Sequence, residues 1–361
     1  MKRLLEIPEY INDVNHVVAL DLPWDKLRNK TFLITGGTGL IGSFMIDVLK
    51  AADIGCAVLL LGRSEEKAKD RFKEYWADEW LRFVKWDAAE PMSSRISGSV
   101  DYMLHLASNT HPVAYATDPI GTITTNVIAL NSLLALATKI AVKRFLFASS
   151  NEVYGENRGD VELFDEKYCG YIDCNTLRAG YPESKRCGEA LCQAYIRQKG
   201  LDCVIARLTR TYGPTILSTD TKAISQFLNN ALMGNDIVLK SEGNQYYSYQ
   251  YVADSVSGIL TVLLKGECGR AYNIADKSGD ITLRDLAALI ASLTGRKTIF
   301  DLPDVVESAG FSRATKARLD GTAIRGLGWS PAYSVYSGVA ECLRILAARQ
   351  NLDMNISQPE C

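Results

Sequence analysis

Thr31-Phe-Leu-Ile-Thr-Gly-Gly-Thr-Gly-Leu-Ile-Gly42 decides how the chain is read. Thr31 to Thr35 is a short apolar run of β-forming residues, stopped by Gly36-Gly37. From Leu40 to Lys50, apolar residues at 40, 41, 44, 45, 48 and 49 follow a helical period. Three glycines, Gly36, Gly39 and Gly42, therefore sit three apart between a strand and a helix.

That arrangement is what a dinucleotide needs. The first glycine permits a tight turn, the second admits the pyrophosphate, and the third lets helix and sheet approach. The free N–H groups at the helix start then hold the phosphates. Thr38, Leu40 and Ile41 belong to the same loop. The next strand, Ala57 to Leu61, ends in Gly62-Arg63-Ser64 with no acid before Glu65. An acid there binds the adenosine ribose, whereas an arginine accommodates a 2′-phosphate, so the cofactor is read as NAD(P) with NADP favoured over NAD. Stacking of Arg63 on adenine, or its exposure to solvent, stays open. Asp87, with Ala88 beside it, follows another strand and meets the adenine edge or caps a helix.

The same alternation runs outward. A helical stretch from Ser64 to Trp76, strands Asp101–Leu106 and Arg144–Ala148, a long helix over 120–141, a helix from near Pro182 and a strand Cys203–Leu208 predict a parallel sheet covered on both faces. The fold class is α/β, a doubly wound Rossmann sheet over 30–209. Beyond it comes a smaller substrate-binding lobe over 210–345, with some segments returning to the sheet. Helices are expected near 222–233, 254–265 and 283–294. Residues 1–29 form an extension packed on the main domain, and 346–361 a tail.

Composition bounds the function. The chain has 361 residues, 47% hydrophobic and 23% charged, with 40 Lys+Arg against 42 Asp+Glu. A near-neutral balance lacks the basic footprint of a nucleic-acid protein. Nine scattered cysteines with no Cys-x-x-Cys spacing, and only three histidines, give no metal site. They point to reduced thiols and a cytoplasmic protein. Asn131, Ser132 and Lys139 break the longest apolar region, Val127 to Val142, short of the ~20 apolar residues of a membrane span. Asp165, Glu166 and Asp173 read as a solvated face.

Tyr181-Pro-Glu-Ser-Lys185 carries the chemistry. Four residues apart on a helix, Tyr181 and Lys185 share one face. A tyrosine is a poor base at neutral pH until a cation favours its phenolate. The strand Phe145–Ser150 ends in Asn151-Glu-Val-Tyr-Gly155 on the carboxyl edge, where open α/β sheets bind ligands.

With these residues in view, the chain resembles the extended short-chain dehydrogenase/reductase family, the nucleotide-sugar epimerases, dehydratases and decarboxylases. The resemblance runs from about Thr31 to about Trp329. It takes in the glycine loop, His105-Leu-Ala-Ser108, Asn126, Ser149–Gly155, Tyr181 with Lys185, Tyr212-Gly-Pro214 and Tyr251-Val-Ala-Asp254. It implies Ser150 hydrogen-bonded to the reacting hydroxyl, Tyr181 as base, Lys185 on the nicotinamide ribose, and a 4-ketosugar as intermediate. Leu106, Ala107, Ser108 and Asn126 are implied on the cofactor side, and Asn109, Tyr115, Asn151 and Arg178 on the substrate side. Glu152 sits where dehydratases and decarboxylases carry a glutamate. Asn151 replaces the aspartic acid of the 4,6-dehydratases, and the UDP-glucuronate decarboxylases are the most similar subfamily. A nucleotide-sugar 4-epimerase or 4,6-dehydratase is the alternative. A silent dinucleotide-binding sensor is another, although it would need only the glycine turn.

Two departures mark the substrate side. Arg210 stands where the family has asparagine, and Tyr247 where it has an arginine on the phosphates. Either Arg210 compensates or it pairs with an acid. Arg313, Lys316 and Arg318 are expected near the sugar. A nucleotide-sugar substrate, no nucleic acid, no membrane and a homodimer complete the expectations.

Overall fold

A computed structural model describes residues 1–87, 96, 98–108, 110, 115, 117–301, 316–354 and 356. Seven strands form the central sheet: β1 (Thr31–Thr35), β2 (Ala57–Gly62), β3 (Leu81–Lys85), β4 (Tyr102–His105), β5 (Arg144–Ser150), β6 (Cys203–Leu208) and β10 (Ala271–Ile274). Their spatial order is β3-β2-β1-β4-β5-β6-β10, with every pairing parallel. The order reverses between β1 and β4, the switch point at which doubly wound sheets open a ligand crevice. Strands buried on both faces have to be apolar throughout, which is why β1, β2 and β5 read as continuous hydrophobic runs. Leu146 on β5 is fully buried, and truncating such a side chain to alanine costs about 2–5 kcal/mol.

The helices α2 (Leu40–Ala51), α4 (Pro119–Lys139) and α5 (Gly180–Lys199) cover this sheet. α4 is a continuous helix of 21 residues, long and apolar enough by length and composition to cross a membrane. It matches the long helix expected over 120–141, with Asn131, Ser132 and Lys139 inside it. Its Ala129, Leu130, Leu133 and Ala137 pack against Phe145, Phe147 and Cys192. The charged helix α3 covers only Glu65–Arg71, not the stretch to Trp76. Phe72 and Tyr75 turn inward instead, and Arg71 and Tyr75 both donate to the buried carboxylate of Asp47 on α2.

The extension contains a helix the sequence reading missed, α1 (Pro8–Val18), which buries Tyr10, Asp13, Val14 and Val17 on one face. Tyr10 also donates to Asp47, at 2.5 Å. Asp13, 1% exposed, accepts from Tyr251 and from Tyr333, each at 2.5 Å.

The smaller lobe is built on a second sheet in which β9 (Tyr246–Tyr251) pairs with β7 (Arg210–Tyr212), β11 (Asp280–Thr282) and β13 (Lys316–Ala317). β8 (Ile237–Leu239) pairs with β12 (Thr298–Phe300) beside it. Helices α6 (Ala223–Leu232), α7 (Val252–Lys265) and α8 (Leu283–Thr294) fall close to the predicted ranges. α9 (Thr322–Arg325) is a single turn, and α10 (Val335–Gln350) continues past 345 with Ile345, Leu346 and Ala347 buried. The tail boundary at 346 therefore cuts a packed helix that runs to Gln350, and Met354 and Ile356 beyond it still pack against the core. One hydrophobic cluster runs from Phe32 and Ile34 of the sheet to Phe227 and Leu286 of the lobe.

Candidate active site

The carboxyl edge of the sheet and the facing side of the lobe enclose a cleft of about 700 Å³. At its sheet end lies the glycine turn. Gly36 has φ +74°, and a Cβ there would meet Ala107 N at 2.6 Å and the Leu106 carbonyl carbon at 2.7 Å. A Cβ on Gly42 would meet Gly37 Cα at 2.6 Å. Only glycine fits either position. α2 starts from Gly39 with no side chain capping it, so its first N–H groups remain for an anionic ligand. Thr38, Leu40, Ile41, Arg63, Asp87, Leu106, Ala107 and Ser108 line the same half of the cleft. These features fit a dinucleotide. Ala88 and Asn109 lie outside the described residues, as does Arg313.

Asn126 is not in this lining. It is fully buried one layer behind, accepting from Ser108 Oγ at 2.7 Å and donating to Ser184 Oγ at 2.8 Å. Ser184 donates to the Tyr181 carbonyl at 2.7 Å. Asn126 thus fastens the Ser108 loop to the start of α5.

Tyr181, Ser184, Lys185, Gly188 and Cys192 form the buried stripe of α5. β5 delivers Ser149 and Ser150 to the same edge, and Ser150, Asn151, Glu152, Tyr181 and Lys185 all line the cleft. Burial raises the Tyr181 pKa well above the ordinary phenol value, and Glu152 adds to this. Hydrogen bonds with Ser150 and Ser108 and the charge of Arg178 oppose it. Lys185 is the cation on that face of α5 and lines the cleft with Tyr181. Its Nζ donates to the Ala148 carbonyl at 2.8 Å and lies 5.9 Å from the Tyr181 ring centre, and burial drags its pKa down to about 7.

The acid that supports the charge of Lys185 is Glu189, one turn on, which the sequence reading passed over. Glu189 accepts from Ser149 Oγ at 2.6 Å and takes two bonds from Arg207, at 2.9 and 2.7 Å. Arg207 also donates to Tyr154 Oη at 2.8 Å, and Tyr154 donates to Asn273 at 2.6 Å. Asn273 N donates to Glu166 at 2.8 Å. Glu166 is thus part of a network tying the segment after β5 to the central sheet, rather than a solvated face. Thr35 and His105 add a buried bond of 2.8 Å under the cleft, and burial lowers the His105 pKa to about 3.

On the substrate side, Arg178 Nη2 donates to Glu152 Oε1 at 2.7 Å. Its guanidinium carbon lies 4.6 Å from the Tyr115 ring centre, and Tyr115 stacks on Tyr181 at 5.0 Å. Nη1 of Arg178 is buried without a hydrogen-bond partner among the described residues. Across the cleft Arg210 stacks on Tyr247, and among the described residues no acid pairs with it. Lys316 and Arg318 do not reach the lining. Arg318 pairs with Glu162 at 2.8 Å and sits over the Tyr246 ring.

A glycine turn at the switch point, with serine, tyrosine and lysine on the neighbouring strand and helix, is the geometry shared with one large group of known proteins. The profile of the NAD dependent epimerase/dehydratase family matches residues 32–275. The chain belongs to that family. Among its relatives, UDP-glucuronic acid decarboxylase 6 of Arabidopsis thaliana is 31% identical over 311 residues, 86% of this chain and 87% of that protein. UDP-glucuronic acid decarboxylase 1 of Danio rerio is 31% identical over 318 residues, 87% and 72% respectively. The dTDP-glucose 4,6-dehydratase of Streptomyces venezuelae, solved with NAD bound, superposes with a TM-score of 0.74 at 27% identity, covering 90% of this chain and 99% of that one. The UDP-glucose 4-epimerase of Thermotoga maritima shares the fold, with a TM-score of 0.77 at 24% identity over 89% of this chain and 99% of that one. As a member of this family the chain is an NAD-dependent enzyme.

Proposed function

We propose that the protein decarboxylates a nucleotide-activated uronic acid through a 4-keto intermediate, UDP-glucuronate being the first substrate to test. The observation that carries this reading is the buried Nη1 of Arg178, which has no partner among the described residues, beside Tyr181 and Glu152. An unmet guanidinium N–H is costly, and a sugar carboxylate would meet it. Asn151, a neutral amide 7% exposed, cannot donate a carboxyl proton to a departing C6 hydroxyl, which argues against 4,6-dehydration.

Ser150 bridges the C4 hydroxyl of the sugar and the Tyr181 phenol, and Tyr181 takes the proton. When bound, oxidised NAD supplies the hydride acceptor and a positive charge that favours the phenolate. The resulting C4 ketone withdraws electrons as carbon dioxide leaves C5. Tyr181, now protonated, and Ser150 both donate to the developing enolate oxygen. Glu152, its direction fixed by Arg178, is the candidate to orient the water that gives C5 its proton, and Tyr181 gives its own proton back to the C4 oxygen as the ketone is reduced by the hydride held on the cofactor.

Arg63, exposed at the end of β2 with no acid before Glu65, supports acceptance of NADP beside NAD. Ile120, Ile123 and Ile128, exposed on the outer face of α4, support a homodimer through that helix. Eight free thiols among the described residues support a reducing, cytoplasmic setting, and the near-neutral charge supports small-molecule rather than nucleic-acid or membrane partners. The test is purified protein with NAD and carboxyl-labelled UDP-glucuronate. Released label and a UDP-pentose are expected. An epimerised uronate without release would replace decarboxylation by epimerisation.

A further inference from the structure

Strand pairing brings a second guanidinium to the site. Ser150 lies opposite Leu208, and Arg210 follows two residues later, about 7 Å further along an extended chain. β7 then pairs with β9, with Arg210 opposite Tyr249, which makes Tyr247 its diagonal neighbour. Arg210 Cζ lies 3.4 Å from the centre of the Tyr247 ring, and both side chains line the cleft. Tyr247 is 5% exposed. A guanidinium stacked this closely has its face covered and only its N–H edge free to bond. Nη1 on that edge is buried without an acceptor among the described residues.

The spacing selects the anion that would complete it. The carboxylate of a uronic acid is attached next to C4, so with C4 at Ser150 and Tyr181 it falls near Arg178. The anomeric oxygen sits at the far end of the ring, one pyranose length away, which is the scale of the step from Ser150 to Arg210. In a nucleotide sugar that oxygen carries a phosphate, and an arginine edge binds phosphate oxygens bidentately.

We propose that Arg210 binds the phosphate on the anomeric oxygen of the sugar, and that Tyr247 is a positioning residue that aims its guanidinium edge. This rests on the nucleotide-sugar reading above. It makes the anomeric phosphate the feature by which the cleft tells an activated sugar from a free one.

Calorimetric titration of the NAD-loaded protein with UDP, TDP, CDP and GDP tests it, with NAD affinity as the control for folding. At least one diphosphate binds the wild type. Arg210→Ala and Arg210→Gln then weaken that binding on the order of 100-fold, raising KM far more than they lower kcat. Arg210→Lys, a point charge without the fork, recovers only part of the affinity. Tyr247→Leu weakens binding, and Tyr247→Phe, which keeps the ring, weakens it less. The double variant Arg210→Asn/Tyr247→Arg, which returns a guanidinium from the adjacent strand, binds more tightly than Arg210→Asn alone. Equal affinity in the wild type and both Arg210 variants would overturn the assignment and leave the catalytic reading standing. No binding of any diphosphate by the wild type would overturn the nucleotide-sugar reading, and this assignment with it.

Discussion

The guanidinium of Arg178 donates to the carboxylate of Glu152 at 2.7 Å, within electrostatic reach of the Tyr181 phenol. The two charges act on that phenol in opposite senses: Glu152 raises its pKa and Arg178 lowers it. The base is active when deprotonated, so the acidic limb of the pH profile of kcat/KM reports its pKa. Arg178→Met is expected to move that limb to higher pH and Glu152→Gln to lower pH. Shifts in the same direction would mean that the pair does not tune Tyr181.

Lys185 illustrates a cost accepted for function. Burial takes its pKa from 10.5 to about 7, so between those values the unfolded chain binds a proton that the folded chain does not. The penalty to stability is full at and below about pH 7 and fades as pH rises towards 10.5. Lys185→Met is therefore expected to abolish turnover while raising stability at pH 7 by about 1–3 kcal/mol, a gain that shrinks at alkaline pH. Urea unfolding at pH 7 and pH 10 measures both. A variant less stable than wild type at pH 7 would contradict this.

Much of this architecture is legible in the chain because it is local. The glycine turn reports its own geometry within eight residues, and Tyr181 with Lys185 reports a helix face. What could not be read is what distance in sequence hides. Asp13 finds its two tyrosine partners 238 and 320 residues away, and Asn12, Asp13 and Asn15 dilute the apolar spacing of α1. Arg207 and Glu189 lie on different elements. Lys185 and Glu189, four apart on a helix, were a visible signal that Lys185 has an acid at its side.

Asp13 yields a prediction of its own. Burial raises its pKa from 3.8 to about 6, against the opposing bonds from Tyr251 and Tyr333. A raised carboxyl pKa means that stability is lost as pH climbs from about 4 through 6. Asp13→Asn should gain relative to wild type over that interval. Asp13→Leu leaves two buried tyrosine hydroxyls without an acceptor and should cost about 2–4 kcal/mol at any pH in it. Parallel denaturant curves for the three proteins are the check.

For the cofactor, Arg63→Ala should weaken binding of NADP about 10-fold or more while leaving NAD within about 3-fold, since only the former offers a 2′-phosphate to the guanidinium. Fluorescence titration with both dinucleotides reads this directly. An equal effect on the two would mean that Arg63 serves the adenine face instead.

The most direct test of Tyr181 as the proton acceptor is turnover by Tyr181→Phe under saturating NAD and UDP-glucuronate. The account predicts that release of carbon dioxide falls at least about 1,000-fold, with dinucleotide and UDP affinities retained. Release at a rate near that of the wild type would show that another group takes the proton.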